Sequence, residues 1–255
     1  MARGSSVCYP LQEDAELAEA VDADQGSTAA GTLAARELEI PPGAWAPTPI
    51  PIDTGIGLLV LEGVLVHRIG IEQRFSAELL GEGDLLRSLR GEFPSSPLHT
   101  SVSWLVLEPT RLAVLDERFV RQLAAFPRLA GRLFTRSVLR TRQLAVNMAI
   151  VHQARVDVRL HLVLWHLAGR WGRVRADGIV VPLRLTHSIL AELVAARRPT
   201  VTSALSELGR EGLVRSVPEG WLLSGEPPGE LNGALSDDRA RAARASAGGA
   251  ARADA

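Results

Sequence analysis

The chain has 255 residues, 46% of them hydrophobic, enough for two modest cores. No apolar run approaches the ~20 residues of a membrane-spanning helix, and the first residues lack the basic-then-apolar pattern of a secretion signal. The expected compartment is therefore the cytoplasm. The single cysteine, Cys8, excludes an internal disulfide and cannot by itself hold an iron–sulfur cluster. All 28 basic residues are arginine, and the net charge of −1 hides a split: −10 over residues 1–118, +10 over 119–225 and −1 over 226–255. Arginine offers phosphate and guanine a planar fork, so the basic half has the electrostatic footprint of a nucleic-acid partner.

Residues 1–32 read as a flexible N-terminal arm. In it a short acidic helix over Leu11–Val21 precedes a small, polar linker over Asp22–Thr32, and Cys8 is expected as a surface thiol. From 33 to 118 the pattern is short apolar runs cut by Gly, Pro and Asp: GLLVLEGVLVHRI (57–69), FSAELLGEGDLL (75–86), SVSWLVLEP (101–109) and TRLAVLD (110–116). Such spacing predicts a β-sandwich or barrel, with turns at Glu62-Gly63 and Gly81–Asp84.

After Asp116, a good N-cap, the strands stop. One helix is expected over Glu117–Ala125 and a second from Pro127 to about His152. Residues 119–153 form a segment whose apolar stripe must be buried on its own barrel or on a second chain. Leu133, Val138, Leu144 and Met148 are the expected dimer contacts. Residues 154–225 then give a helix over 156–170, a turn at Ala176–Gly178, a strand over Ile179–Leu183, and LTHSILAELVAARRPTVTSALSELGREGLVRSVPEGWLL (185–223). Residues 226–255, rich in Ala, Gly, Asp and Arg, read as a disordered tail.

Thr186 caps a helix over His187–Val194 in this reading. After a turn at Ala195–Arg197, a second helix starts at Arg198-Pro199, with proline in its first turn. Val201, Leu205 and Leu208 recur at i, i+4 and i+7 as a buried stripe. Arg198, Thr202, Ser203 and Ser206 fall on the other side, as a major-groove reader requires. Two short strands round Pro218–Gly220 make a wing, with Arg215 placed for backbone phosphate.

Residues 155–223 resemble the winged helix of the Crp/Fnr family of transcription regulators, on the segment LTHSILAELVAARRPTVTSALSELGREGLV. LLVLEGVLVHR, ELLGEGDLL and EPTRLAVLD resemble the family's barrel segments. The resemblance implies an α+β chain: an N-terminal β jelly-roll sensor barrel (cyclic-nucleotide-binding-like), a long dimerisation helix and a C-terminal winged helix-turn-helix. It implies a cytoplasmic homodimer that regulates transcription by binding double-stranded DNA at an inverted repeat. RNA polymerase and a small-molecule effector are the further partners implied, with no membrane and no cofactor. The DNA-binding set it implies is Thr186, His187, Arg197, Arg198, Thr200, Thr202, Ser203, Ser206 and Arg215.

Two departures matter. Members that bind cyclic AMP carry a Gly-Glu pair soon after the Gly-Asp turn and an Arg-Ser/Thr pair in the next strand. Here Gly83-Asp84 is followed by Leu85-Leu86-Arg87-Ser88, and the later window reads Pro97-Leu98-His99-Thr100. A buried phosphodiester needs a cation or several N–H donors, so cyclic AMP is not the expected effector. Gly83, Asp84, Arg87, His99 and Thr100 form the expected effector pocket, with Arg87 or Arg90 left for some other anion. The family's reader, Arg-Glu-Thr-Val followed two residues later by Arg, is here Arg198-Pro199-Thr200-Val201 and then Ser203, so the preferred DNA site differs too.

Two other function classes compete. One is a barrel acting through protein contacts, its helix-turn-helix packing rather than reading DNA. The other is a cupin-like metal enzyme, which needs three or more clustered His or carboxylate ligands. The barrel half holds only His67 and His99, which read as structural, and no catalytic set or metal site is expected. His161 and His166 are five apart on a helix and do not share a face.

Overall fold

The run GLLVLE is too short for a stable helix and apolar at four consecutive positions, which suits a strand buried on both sides. It forms β4 (Gly57–Glu62), and its two sides supply two cores. Leu58 and Val60 join Leu65, Leu80, Trp104, Val106, Leu112 and Val114 in one cluster. Leu59 and Leu61 join Leu85, Leu115, Phe119, Leu129 and Leu133 in another. The computed structural model describes residues 6–21, 29, 31–46, 55–72, 74–86 and 99–228. The chain divides into two units, Met1–Asn147 and Met148–Ala255.

In the first unit every strand pairing is antiparallel. One sheet runs β1 (Val7–Cys8), β2 (Ala35–Ile40), β9 (Thr110–Leu115), β4, β7 (Leu85–Leu86). The other runs β3 (Gly43–Trp45), β8 (Thr100–Val106), β5 (Val64–Ile71), β6 (Arg74–Gly81). The cluster around Leu58 draws on both sheets, so they close over it as the barrel that the short strands predict and the jelly roll that the resemblance implies. Both expected turns are present. Gly63 has φ +95°, and a Cβ there would lie 2.4 Å from Thr110 Oγ1, so only glycine fits. Asp84 is buried and accepts from the Gly81 N–H at 2.8 Å, closing the β6–β7 turn.

The expectation of a free N-terminal arm does not hold for residues 6–21. Val7 and Cys8 pair with Arg36 and Ala35. The short helices α1 (Pro10–Glu13) and α2 (Ala15–Ala18) bury Leu11 and Leu17 in the outer core. Nor is Cys8 a surface thiol: it is 3% exposed. The reason is that β2 offers an unpaired edge and the outer face of the first sheet needs an apolar cover. Most of the expected linker (22–28 and 30) and nearly all of the expected tail (229–255) lie outside the described residues.

Asp116 caps α3 (Glu117–Leu123) by accepting from the Phe119 N–H at 3.0 Å, as expected. The long helix α4 (Pro127–Val151) follows. Leu133 is not available to a second chain: it is 3% exposed and packs with Leu129 in the outer core of its own barrel.

The second unit contains α5 (Val156–Trp171), β10 (Arg173–Arg175), β11 (Gly178–Val181), α6 (His187–Leu193), α7 (Arg198–Arg210), β12 (Val214–Val217) and β13 (Gly220–Leu223). Its sheet runs β10-β11-β13-β12. The sequence reading missed β10, whose three residues, Arg-Val-Arg, are all exposed and too few to show a period. Among the described residues no helix is long and apolar enough to cross a membrane.

Burial, with the nearby carboxylates of Glu37 and Glu13, pushes the Cys8 thiol up to about 12. A thiol reacts as its thiolate. Cys8 should therefore resist iodoacetamide at mildly alkaline pH in the native protein and react fully in denaturant. Rapid alkylation of the native chain would show that β1 is not seated.

Candidate nucleic-acid interface

The second unit builds an exposed polar surface on a rigid apolar base. Thr186 Oγ1 accepts from the Ile189 N–H at 3.3 Å and caps α6. At the other end of α6, Arg159 of α5 donates to the Val194 carbonyl at 3.2 Å, where a cation complements the helix dipole. The chain then turns through Ala195 at φ +49°, and the Ala196 N–H closes onto the Ala191 carbonyl at 2.9 Å. Pro199 falls in the first turn of α7, whose Val201, Ala204, Leu205 and Leu208 are buried.

The opposite side of α7 is exposed: Arg198, Thr200, Thr202, Ser203 and Ser206. The hydroxyls of Thr202, Ser203 and Ser206 donate to the carbonyls one turn earlier, at 3.1, 3.3 and 3.0 Å. Their lone pairs face outward as acceptors. His187 is half-buried beside this face, 2.9 Å from Thr202 Oγ1 and tilted against Trp221. Because the Thr202 proton goes to the Arg198 carbonyl, the His187 Nδ1–H is the donor in that bond. His187, Thr202, Ser206, Gly209, Arg215 and Trp221 line a cavity of ≈ 520 Å³ between α7 and the β12–β13 hairpin.

Arg197 and Arg198 are exposed, and among the described residues neither has an ion-pair partner. Glu207, the nearest carboxylate along α7, is paired with Arg210 instead. Arg215 lies 3.4 Å from Asp177, and Arg175 lies 3.2 Å from Glu219. Both pairs join exposed side chains, where solvent and salt screen them. Arg215 is therefore only loosely held.

Of the five residues expected as an effector pocket, the four described ones are not brought together. Gly83 and Asp84 sit at the β6–β7 turn, beside the end of β5 where Gly81 pairs with Val64. Thr100 pairs with Ile71 at the other end of β5, about 23 Å away at ~3.3 Å per residue. Asp84 accepts from the Gly81 N–H within its own turn, His99 is exposed, and Arg87 lies outside the described residues. The barrel's polar cluster is a different one. His67 Nδ1 lies 2.7 Å from Glu78 Oε1, its ring stacked on Trp104 at 4.2 Å between centroids. Arg140 of α4 binds the same carboxylate at 2.5 and 3.3 Å. Sequence reasoning reached His67 but missed Glu78 and Arg140, since no motif joins residues so far apart in the chain. Among the described residues no group of three or more His, Cys, Asp or Glu is placed to hold a metal.

Residues 158–223 match the family model of the Crp-like helix-turn-helix domain. The second unit carries a Crp-like helix-turn-helix. Crp/Fnr regulators share the fold of the chain as well. A CooA double mutant from Carboxydothermus hydrogenoformans is 17% identical, with a TM-score of 0.58 over 75% of this chain and 84% of that one. FixK2 from Bradyrhizobium japonicum is 16% identical, with a TM-score of 0.54 over 75% and 93%. CLP from Xanthomonas campestris, described as a c-di-GMP-responsive global regulator, is 20% identical, with a TM-score of 0.54 over 75% and 95%. No curated protein sequence matches the chain.

The Crp-like unit depends on a close approach at the start of β13. Gly220 has φ +156°, and a Cβ there would meet the Val181 carbonyl at 2.2 Å. Gly220→Ala should destabilise this unit by at least ~1–3 kcal/mol, read by urea unfolding with tryptophan fluorescence, because Trp221 is buried in the same hairpin. An unchanged midpoint would contradict the packing of β13 on β11.

Proposed function

We propose that the chain is a homodimeric, sequence-specific DNA-binding transcription regulator that recognises an inverted-repeat site. The observation that carries this reading is the pair Arg197-Arg198. Both are exposed at the N-terminal end of α7, beside a row of hydroxyls and opposite the buried stripe, and among the described residues neither has an ion-pair partner. A helix N-terminus with free arginines attracts phosphate and presents a fork to base edges. Arg198 is the guanine reader. Arg197 and Arg215 meet phosphate, as do the capping turn at Thr186 and His187. Thr200, Thr202, Ser203 and Ser206 supply smaller contacts to phosphate or thymine methyl groups. The reading has no catalytic step, its place of action is the cytoplasm, and RNA polymerase is the partner through which a bound regulator would act.

The dimer rests on α4. Phe134, Val138, Thr141, Ala145 and Met148 follow one another at alternate spacings of four and three, and all are exposed. Phe134 and Met148 are 70% and 62% exposed, an apolar load a monomer would leave in water. Phe134 takes the place first expected of Leu133, and Leu144 lies at the flank of the stripe. Regulation is by an effector other than cyclic AMP or by none, since the Gly-Glu and Arg-Ser/Thr pairs are missing from the sequence.

Four outcomes follow. Selection from random DNA should enrich an inverted repeat with half-sites about 34 Å apart. Arg198→Ala should cost about 1–3 kcal/mol and relax one base pair per half-site, whereas Arg197→Ala and Arg215→Ala should weaken all sequences alike and flatten the salt slope. No enrichment by the wild type would sink the DNA reading. Phe134→Glu with Met148→Glu should give a monomer by light scattering and abolish binding to the two-fold site; a dimer that survives both changes would rule out this face. Titration calorimetry should detect no micromolar binding of cyclic AMP.

A further inference from the structure

Helix α4 is held on its barrel by charge along part of its inward side. Leu129 and Leu133 pack into the outer core, but the next two turns place arginines there. Arg136 binds Asp14 at 2.5 and 2.8 Å and Glu16 at 2.7 Å, with its side chain 9% exposed. Arg140 reaches farther in. Its guanidinium takes both oxygens of Glu78 and donates to the Leu85 carbonyl at 2.9 Å. Glu78 projects from β6 opposite His67 of β5, its side chain 11% exposed.

A carboxylate this enclosed loses its water, and burial alone would push its pKa up. Hydrogen bonds from His67 and Arg140 outweigh that, and hold the Glu78 carboxyl below the usual range. Glu78 is therefore an anion at neutral pH and only accepts. The shared proton sits on His67 Nδ1, and the ring is fixed by its stack on Trp104. His67 Nε2 is buried with no partner among the described residues, so the ring serves Glu78 alone.

We propose that Glu78 is a built-in counter-ion for α4: it fills Arg140 from inside the barrel, so the helix is clamped without an anionic effector. A small anion entering this barrel would find the helix's arginine already neutralised. The consequence for DNA, which rests on the regulator reading above, is that the wild type binds its site with no added effector.

Glu78→Ala leaves room for a small carboxylate beside a freed Arg140. Amide hydrogen exchange in residues 134–144 should then quicken at least tenfold relative to β9, and acetate should restore at least half of the protection. Glu78→Gln, which keeps the shape and loses the charge, should show a smaller rise and no rescue. If Glu78→Ala does not fold, Glu78→Met with Arg140→Met keeps the volume without either charge and should fold, protected to the same degree with or without acetate. Unchanged exchange in a folded Glu78→Ala, loosening that acetate does not reverse, or a double variant that responds to acetate would each overturn the proposal. Gel shifts on the selected site, without effector, should follow the same order, with Glu78→Ala at least tenfold weaker and acetate restoring it. Exchange results as stated with no DNA binding by the wild type would refute the DNA reading and leave the clamp standing.

Discussion

A surface helix ordinarily turns its apolar stripe inward and its charges to water. In α4 that arrangement is reversed around Arg136 and Arg140. Arg136 and Arg140 face the barrel and are spent on Asp14, Glu16 and Glu78, while Phe134 and Val138, two residues either side of Arg136 and so about 160° from it round the helix, stand in solvent. The fold can afford charged contacts at this seam because each arginine has a carboxylate waiting. Removing one partner from a buried pair costs about 3–5 kcal/mol, since it strands the other charge. Apolar residues are thereby freed for the outer side of the helix, as the proposed dimer requires.

The same logic explains the N-terminal segment. Residues 6–21 supply both the edge strand β1 and the acids that receive Arg136. The net charge of the first 118 residues is −10, and part of that excess answers the arginines of α4 rather than facing water. Glu37 shows the pattern again, buried and bound to Arg111 at 2.5 Å.

In the second unit the economy runs the other way. Glu207, Glu219 and Asp177 are engaged by Arg210, Arg175 and Arg215, and among the described residues Arg197 and Arg198 have no ion-pair partner. The exposed arginines and hydroxyls of α7 stand over a base as apolar as Val201 and Leu208.

The sequence by itself determined the local features: the cap at Asp116, the cap at Thr186, the stripe Val201–Leu205–Leu208, the glycine turn at Gly63 and the wing. Each depends on residues within about two helical turns or one hairpin of one another, where spacing alone dictates geometry. That was enough to place the Crp-like unit and the side of α7 that faces outward. Only the tertiary structure decided what long-range pairing controls. Cys8 is buried because β2 had an open edge; Leu133 turns inward and Phe134 outward because the outer face of the first sheet lies on one side of α4; Gly83 and Thr100 are separated because β5 holds them at opposite ends. Glu78 and Arg140 are 62 residues apart, and nothing in either neighbourhood marks them as partners. Their meeting is fixed by the register of β6 on β5 and by the rotation of α4, and both of these are set by packing of the whole unit.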